Sequence, residues 1–376
     1  WGHVHPMVPL ARAFVEQGDE VAWAVTAGIA PRLEGEGFAV HAAGQSLDLS
    51  FREALQRFPE IHQLPPTERP NKFFPQFFGA VQAPAMLSDL LPVARAFDPA
   101  LLVCDQAELA GPIAAAVLGV PNVTHSFGGL LPAHRLETTG RVVAPLWEAH
   151  GLAPRPYCGT YDHLYLDIYP PSMQTEDGSH VPFRQLLRPE TFVTGEDEAL
   201  PDVVTGDSPA PLVYVTFGTV FNANPELVST VVAAVRDLPV RVVLTVGPTA
   251  DPGELGAQPA NVHVARYIPQ TQLLPYCSAV VSHAGSGTLL AALARGLPQL
   301  CLPQAADQFG NAAACAAAGA GRALLPGFVT VESVRAEMTD ILADPAYRGA
   351  AERVAAEIRA MPSPAEVAGV IAARFG

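Results

Sequence analysis

The chain has 376 residues, 49% of them hydrophobic, and carries a net charge of −15 from 22 Lys plus Arg against 37 Asp plus Glu. That length exceeds what one hydrophobic core usually organises, so two domains are expected, and the acidic balance repels polyanions, so neither nucleic acid nor an anionic membrane is expected as a partner. The longest apolar run, residues 107–121 interrupted by Glu108, is too short for a membrane span, no signal peptide is expected, and five widely spaced cysteines with no CxxC pair point to reduced thiols in a cytoplasm rather than to disulfides or a zinc site.

In chain order, the opening "WGHVHPMVPLARAFVEQGDEVAWAV" reads as a glycine-containing loop, an amphipathic helix over 7–17 and a strand over 20–25. A loop, helix and strand of this kind need a strand in front to complete a parallel unit, so a short strand preceding residue 1 is expected. Residues 64–86, "LPPTERPNKFFPQFFGAVQAPAM", read as an irregular segment broken by prolines. Its cluster Phe73, Phe74, Phe77 and Phe78 is either core packing or a mobile aromatic wall for an apolar ligand. Then "ALLVCD" (100–105) reads as a buried strand, 109–118 as a helix and "VPNVTHS" (120–126) as the next strand, which is doubly wound α/β patterning. The Pro-, Gly- and acid-rich stretch 187–211 reads as an interdomain linker. Beyond it the alternation restarts: "PLVYVTFGT", a helix over 225–235, strands over 240–247 and 262–268, a helix over 270–276 and the strand "AVVSH". Three helices follow from residue 331. The domains are therefore set at 1–195 and 210–362, the second repeating the architecture of the first, with a last helix over 363–376 packing back on the first.

The most informative turn is "SHAGSGTLLAALARG" (282–296), where a buried strand ends, glycines permit a tight turn and a helix begins. Unbonded amides at such a helix start attract phosphate, aided by the helix dipole. His283, Ser286 and Thr288 add side-chain donors. The plainer alternative is a strand-to-helix turn in which Gly285 and Gly287 only relieve crowding. Neither GxxxxGK nor GxGxxG occurs here, so this is not a Walker loop or a dinucleotide fingerprint.

The segment around it, an aromatic-x-Pro-Gln (267–270), then HxGxGT (283–288), then Asp-Gln-x-x-Asn (307–311), resembles the donor-binding half of the GT-B-fold, family 1 glycosyltransferases, the bacterial natural-product enzymes above all. The resemblance extends to "GHVHPMVPLA" and "VTFGT". It implies two Rossmann-like domains, with a nucleotide-sugar site facing an acceptor site across a cleft. Carried over residue by residue, it implies that Tyr267 stacks on the nucleobase, Ile268 meets the base edge through its backbone and Gln270 lies close behind. It gives His283, Gly285, Ser286, Gly287 and Thr288 to the diphosphate, joined by Gly218 and Thr219, and gives Asp307 and Gln308 to the donor sugar. His3 matches the general base and Asp105 the acid that orients it. Ala291 stands where the plant pattern has a glutamate for both ribose hydroxyls, which favours a dTDP-sugar over a UDP-sugar.

The expected reaction is an inverting O-glycosyl transfer to an apolar aglycone. No cofactor and no metal are implied, the nucleotide sugar being a co-substrate, and no DxD occurs. The acceptor pocket is assigned to Phe73, Phe74, Phe77, Phe78, Met86, Phe127 and Trp147. His5 competes with His3 as base, and the pair could begin a metal site, although no third ligand is evident. Other GT-B sugar-nucleotide enzymes, such as a GlcNAc transferase or a 2-epimerase, and a non-catalytic homologue remain alternatives. N-, S- or C-linkage stays open, and so does a homodimer.

Overall fold

The structure is a computed structural model and describes residues 2–192, 200–218, 225–247 and 251–376. The chain forms two compact units: Trp1–Tyr169, Glu176–Arg188 and Pro362–Gly376 make the first, Pro170–Thr175 and Pro189–Met361 the second.

The first unit holds strands β1 (Ala22–Val25), β2 (Ala39–Ala42), β3 (Leu102–Asp105), β4 (Asn122–His125), β5 (Leu164–Asp167) and β6 (Arg184–Leu186). All pairings are parallel, but β1 and β2 form a two-stranded sheet apart from the four-stranded sheet β3-β4-β5-β6. The second unit is a single parallel sheet of β7 (Leu212–Thr216), β8 (Arg241–Thr245), β9 (Val262–Ala265), β10 (Ala279–Ser282), β11 (Gln299–Cys301) and β12 (Gly321–Ala323), in the order β12-β11-β10-β7-β8-β9. Among the described residues no strand pairing joins β1 or β2 to β3. In the second sheet the order reverses between β7 and β10, and at such a switch point the loops leaving the carboxyl ends diverge to opposite faces and open a crevice.

Side chains alternate across each strand, so a strand covered on both faces must be apolar throughout. On one face of the second sheet Val213, Val215, Val242, Leu244 and Val281 pack with Val231 and Val235 of the helix Pro225–Val235 and with Met338 and Ile341 of the helix Val331–Ala343. On the other, Leu212, Tyr214, Val243 and Val280 pack with Leu273, Ala291 and Ala292.

Two segments read as irregular from the sequence are ordered elements. Residues 64–86 feed a 29-residue helix, Arg69–Phe97, which absorbs Pro75 by widening to π geometry over Pro75–Gln82. A proline cannot donate to the preceding turn, and the wide turn accommodates the missing bond. Burial of Phe74, Phe77, Val81, Met86, Leu87, Leu90 and Leu91 offsets the cost, each side chain contributing about 1.5–3 kcal/mol. This helix is long and apolar enough to cross a membrane by length and composition, with half of that apolar window buried in the protein. The stretch read as a linker is docked where it is described. Val204 is buried, and Arg241 donates to the carbonyls of Val203 at 2.8 Å and Ala210 at 3.1 Å; residues 193–199 lie outside the described residues.

The last helix, Pro364–Phe375, starts on a Ser363–Glu366 capping box and packs on the helix Val8–Gln17, with Gln17 donating to the Ala365 carbonyl at 3.2 Å and Arg374 to that of His163 at 3.1 Å. Helix Ala110–Leu118 presses on β3 so closely that a Cβ on Gly111 would lie 2.1 Å from Cys104 Sγ. Gly111→Ala is expected to destabilise the protein by about 1–3 kcal/mol through overpacking. Gly140→Ala, in the helix Ala133–Ala149 where a Cβ meets nothing within 4 Å, is expected to stabilise it by about 0.5–1 kcal/mol. Paired unfolding midpoints check both signs.

Candidate active site

In the first unit, β3 ends at Asp105, whose Oδ1 accepts from His3 Nδ1 at 2.9 Å and from the Ala107 amide at 2.8 Å. The amide fixes the carboxylate, and the carboxylate fixes the ring. With Nδ1 carrying the proton toward Asp105, Nε2 is the basic nitrogen. The His3 side chain is 41% exposed, that of Asp105 only 12%, so the imidazole is the outward partner of a mostly enclosed carboxylate. Asp105 Oδ2 is buried without a hydrogen-bond partner. Phe127 stacks on the His3 ring with centroids 4.0 Å apart, and Phe78, delivered by the π segment, stacks at 6.0 Å.

These contacts narrow the acceptor-wall assignment. Phe78 and Phe127 flank His3 and Phe73 is half-buried, whereas Phe77 and Trp147, each 1% exposed, together with Phe74 and Met86, are spent in the core. Trp147 lies against Gly159, where a Cβ would come within 3.0 Å of the indole, so its ring is packed into the core and presents no face to a ligand.

His5 is held neutral. Burial, then the Arg32 charge, lowers its pKa to about 4. Among the described residues no three His, Cys, Asp or Glu side chains converge as a metal site would require. His125, opposite Asp105 in the parallel register, is buried, donates from Nδ1 to the Ser126 carbonyl at 2.6 Å and is held near 4 by burial. His163 accepts from the Asn122 amide and His180 contacts the Leu131 carbonyl, both in structural roles. Sequence reasoning passed over Glu108, although it is the lone acid in the longest apolar run. Burial raises its pKa to about 7, the Ala110 amide opposing at 2.9 Å and the Asp105 charge adding to the rise.

In the second unit, His283 follows β10 and lies against two glycines. A Cβ on Gly218 would come within 2.8 Å of its Cε1, and one on Gly285 within 2.5 Å of its Nε2. Gly218, with φ of 76°, is also in left-handed backbone. Both glycines are therefore required for the imidazole to sit where it does. Its Nδ1 is buried without a partner, and burial lowers its pKa, with Asp307 and the Thr216 backbone pulling the other way. The helix Ser286–Ala294 has no side-chain cap, and its first intrahelical bond runs from the Leu289 amide to the Gly285 carbonyl, so the amides of Ser286, Gly287 and Thr288 have no partner within the helix.

The polar side chains here are more committed than the sequence indicates. Ser286 Oγ donates to Asp307 Oδ2 at 2.8 Å instead of facing a phosphate. Asn311, which closes the Asp-Gln-x-x-Asn motif, donates to Asp307 Oδ2, Ser286 Oγ and the Ala284 carbonyl at 2.9–3.0 Å, tying the two loops together. Gln308 Oε1 accepts from the amides of Gln304 and Ala305, so its amide oxygen is committed within the loop. Thr288 Oγ1 accepts from Gln270 Nε2 at 3.1 Å and keeps its own proton to donate. Tyr267 presents an exposed ring beyond β9, and Ile268 is buried behind it. Thr219 lies outside the described residues.

A family model for the C-terminal domain of erythromycin biosynthesis protein CIII-like proteins matches residues 229–373. An elloramycin glycosyltransferase of Streptomyces olivaceus is 33% identical over 396 aligned residues, spanning 100% of this chain and 95% of that protein. The chain belongs to the antibiotic-pathway glycosyltransferases of the GT-B fold. An L-demethylnoviosyl transferase of Streptomyces niveus is 32% identical across 99% of this glycosyltransferase and 95% of its own length. Among solved structures a spinosyn rhamnosyltransferase superposes with a TM-score of 0.82 at 28% identity, covering 99% of this chain and 97% of its own. That relative has also been solved with thymidine diphosphate and with spinosyn aglycone.

One pH dependence follows for this glycosyltransferase. The folded state raises the Glu108 pKa from 4.5 to about 7, so the associated stability is present below 4.5 and is lost as pH rises through about 7. Glu108→Gln, neutral throughout and still able to accept from Ala110, is expected to flatten the fall in unfolding midpoint across that window, as calorimetry at a series of pH values would register.

Proposed function

We propose that this glycosyltransferase inverts the anomeric centre as it moves a sugar, a deoxysugar carried on dTDP, to a hydroxyl of an apolar natural-product aglycone. The observation that carries the reading is the 2.9 Å contact of His3 Nδ1 with Asp105, flanked by Phe78 and Phe127. Those rings supply the apolar surface an aglycone needs beside a base. The acceptor oxygen attacks the anomeric carbon as its proton passes to His3 Nε2, and Asp105 stabilises the imidazolium that forms. The bond from the anomeric carbon to the diphosphate oxygen breaks in the same step, so one displacement inverts the centre. The departing charge falls to the amides at the start of Ser286–Ala294, beside the neutral imidazole of His283. Asp307, held by Ser286 and Asn311, accepts from sugar hydroxyls.

Three further parts of the reading rest on particular residues. Ala291 lies in the apolar cluster with Ile268 and Leu273 and cannot accept from a 2′-hydroxyl, which removes a reason to prefer ribose. Thymidine diphosphate in the spinosyn relative supports the same choice. Proton transfer by His3 and charge stabilisation by amides together describe a reaction that runs without a metal. Five buried free thiols suit the reducing cytoplasm.

Calorimetric titration with thymidine and uridine diphosphates tests the donor, tighter binding of the uridine nucleotide being the result that overturns it. His3→Ala is expected to lower turnover by about 10²–10⁴-fold while leaving thymidine diphosphate affinity unchanged. Full activity in that variant would remove His3 from the mechanism.

A further inference from the structure

The donor loops of the second unit rest on a buried polar chain that the reaction scheme does not use. Thr216 and Thr245 face each other in the parallel register of β7 and β8, and Thr245 Oγ1 donates to Thr216 Oγ1 at 3.1 Å. Thr216 Oγ1 also accepts from the Gly218 amide at 3.4 Å, steadying the turn against which His283 packs. Tyr214 lies two residues before Thr216 on the same face of β7, with its hydroxyl 2.9 Å from Thr245 Oγ1. That hydroxyl is hydrogen-bonded to the Gln270 side chain as well, and Gln270 Nε2 in turn donates to Thr288 Oγ1 at 3.1 Å. Tyr214, Thr216, Thr245 and Thr288 are all buried, so each lost partner leaves a polar group without water to replace it.

We propose that Tyr214 is a positioning residue for the nucleotide-sugar donor, its buried hydroxyl joining the base-side Gln270, the helix-start Thr288 and the Gly218 turn into one hydrogen-bonded unit. The inference rests on the reading of this unit as the donor site. A purely structural tyrosine needs only its ring, which fills the cluster with Val243, Val280 and Ala291 and which phenylalanine would fill equally well. The hydroxyl is instead the junction at which the β7, β8 and Gln270 elements meet. Removing it uncouples Thr288 from the sheet while leaving every residue that touches the donor in place.

Tyr214→Phe, Thr288→Val and the double variant, in the full chain, are titrated with thymidine diphosphate and assayed for donor KM, acceptor KM and kcat. Tyr214→Phe is expected to weaken thymidine diphosphate about tenfold and to raise donor KM alike, with acceptor KM and kcat within about twofold of wild type. The double variant is expected to lose less than the product of the single losses, because both act through Gln270. Thr245→Val, which removes the hydroxyl on the other side of the junction, should reproduce the donor-specific loss if Tyr214→Phe does not fold. Wild type that binds thymidine diphosphate while Tyr214→Phe binds it equally well, or while the losses multiply, overturns the positioning role. Wild type that fails to bind the nucleotide overturns the donor reading itself, and this inference with it.

Discussion

Parallel pairing is the constraint from which both sites follow. When every strand of a sheet runs the same way, every carboxyl end reaches the same edge, and whatever chemistry the chain carries is delivered by the loops that leave there. In the first unit that edge receives Asp105 from β3 and Phe127 just beyond β4, and the His3 turn settles against both. In the second it receives Gly218 from β7 and His283 from β10, the two strands between which the order reverses. The helices have a plainer task. They cover the faces so that strands such as "LVYVT" can be apolar throughout, and only at strand ends does polarity return.

Precision at those edges comes from crowding as much as from attraction. His283 occupies a space that one additional carbon on either Gly218 or Gly285 would take away. Ala284, buried, and Ala306, exposed, hold left-handed backbone with φ of 61° and 55° in the two loops that Asn311 ties together. Non-glycine residues in that region cost of order 1 kcal/mol each, a cost carried by the hydrogen bonds that fix the loops. Asp307 shows the same economy, being bonded by Ser286 and Asn311 from one side so that its remaining capacity points one way.

Much of this was legible in the sequence, because backbone requirements leave traces that composition cannot mimic. The glycines around His283, the acid closing "LLVCD" and the histidine opening "GHVHP" were readable at their positions, as were four of the six strands of the second unit, β11 and β12 being missed. Side-chain direction was not. Phe77 and Phe78 are neighbours of the same type, yet one fills the core and the other reaches His3, a difference set by helical phase. Ser286 looked like a phosphate donor, but its hydroxyl turns to Asp307, 21 residues away in sequence, and no local pattern encodes that. Prolines misled in residues 64–86, since a sequence reader weighs the missing amide and cannot see the buried row that outweighs it. Glu108 was noticed only as an interruption of an apolar run, though its burial beside Asp105 makes it the most perturbed acid near the base.

The π turn at Pro75–Gln82 carries a consequence for how the proposed acceptor wall can vary. A regular helix rotates by about 100° per residue, so its buried row stays in line from end to end. Widening one stretch puts the two halves out of step. Phe74 joins the cluster with Tyr161 and Tyr165, Phe77 and Val81 form another with Ala54, and Met86 to Ala94 serve a third with Ile113 and Trp147. The ring offered to the base is therefore chosen by winding, not only by residue type. Gain or loss of a single residue in that stretch would swing Phe78 off His3 and bring a different side chain round, with every core side chain chemically unchanged. The shape of the surface beside His3 can thus drift by insertion and deletion, a route separate from substitution of the residues that form it.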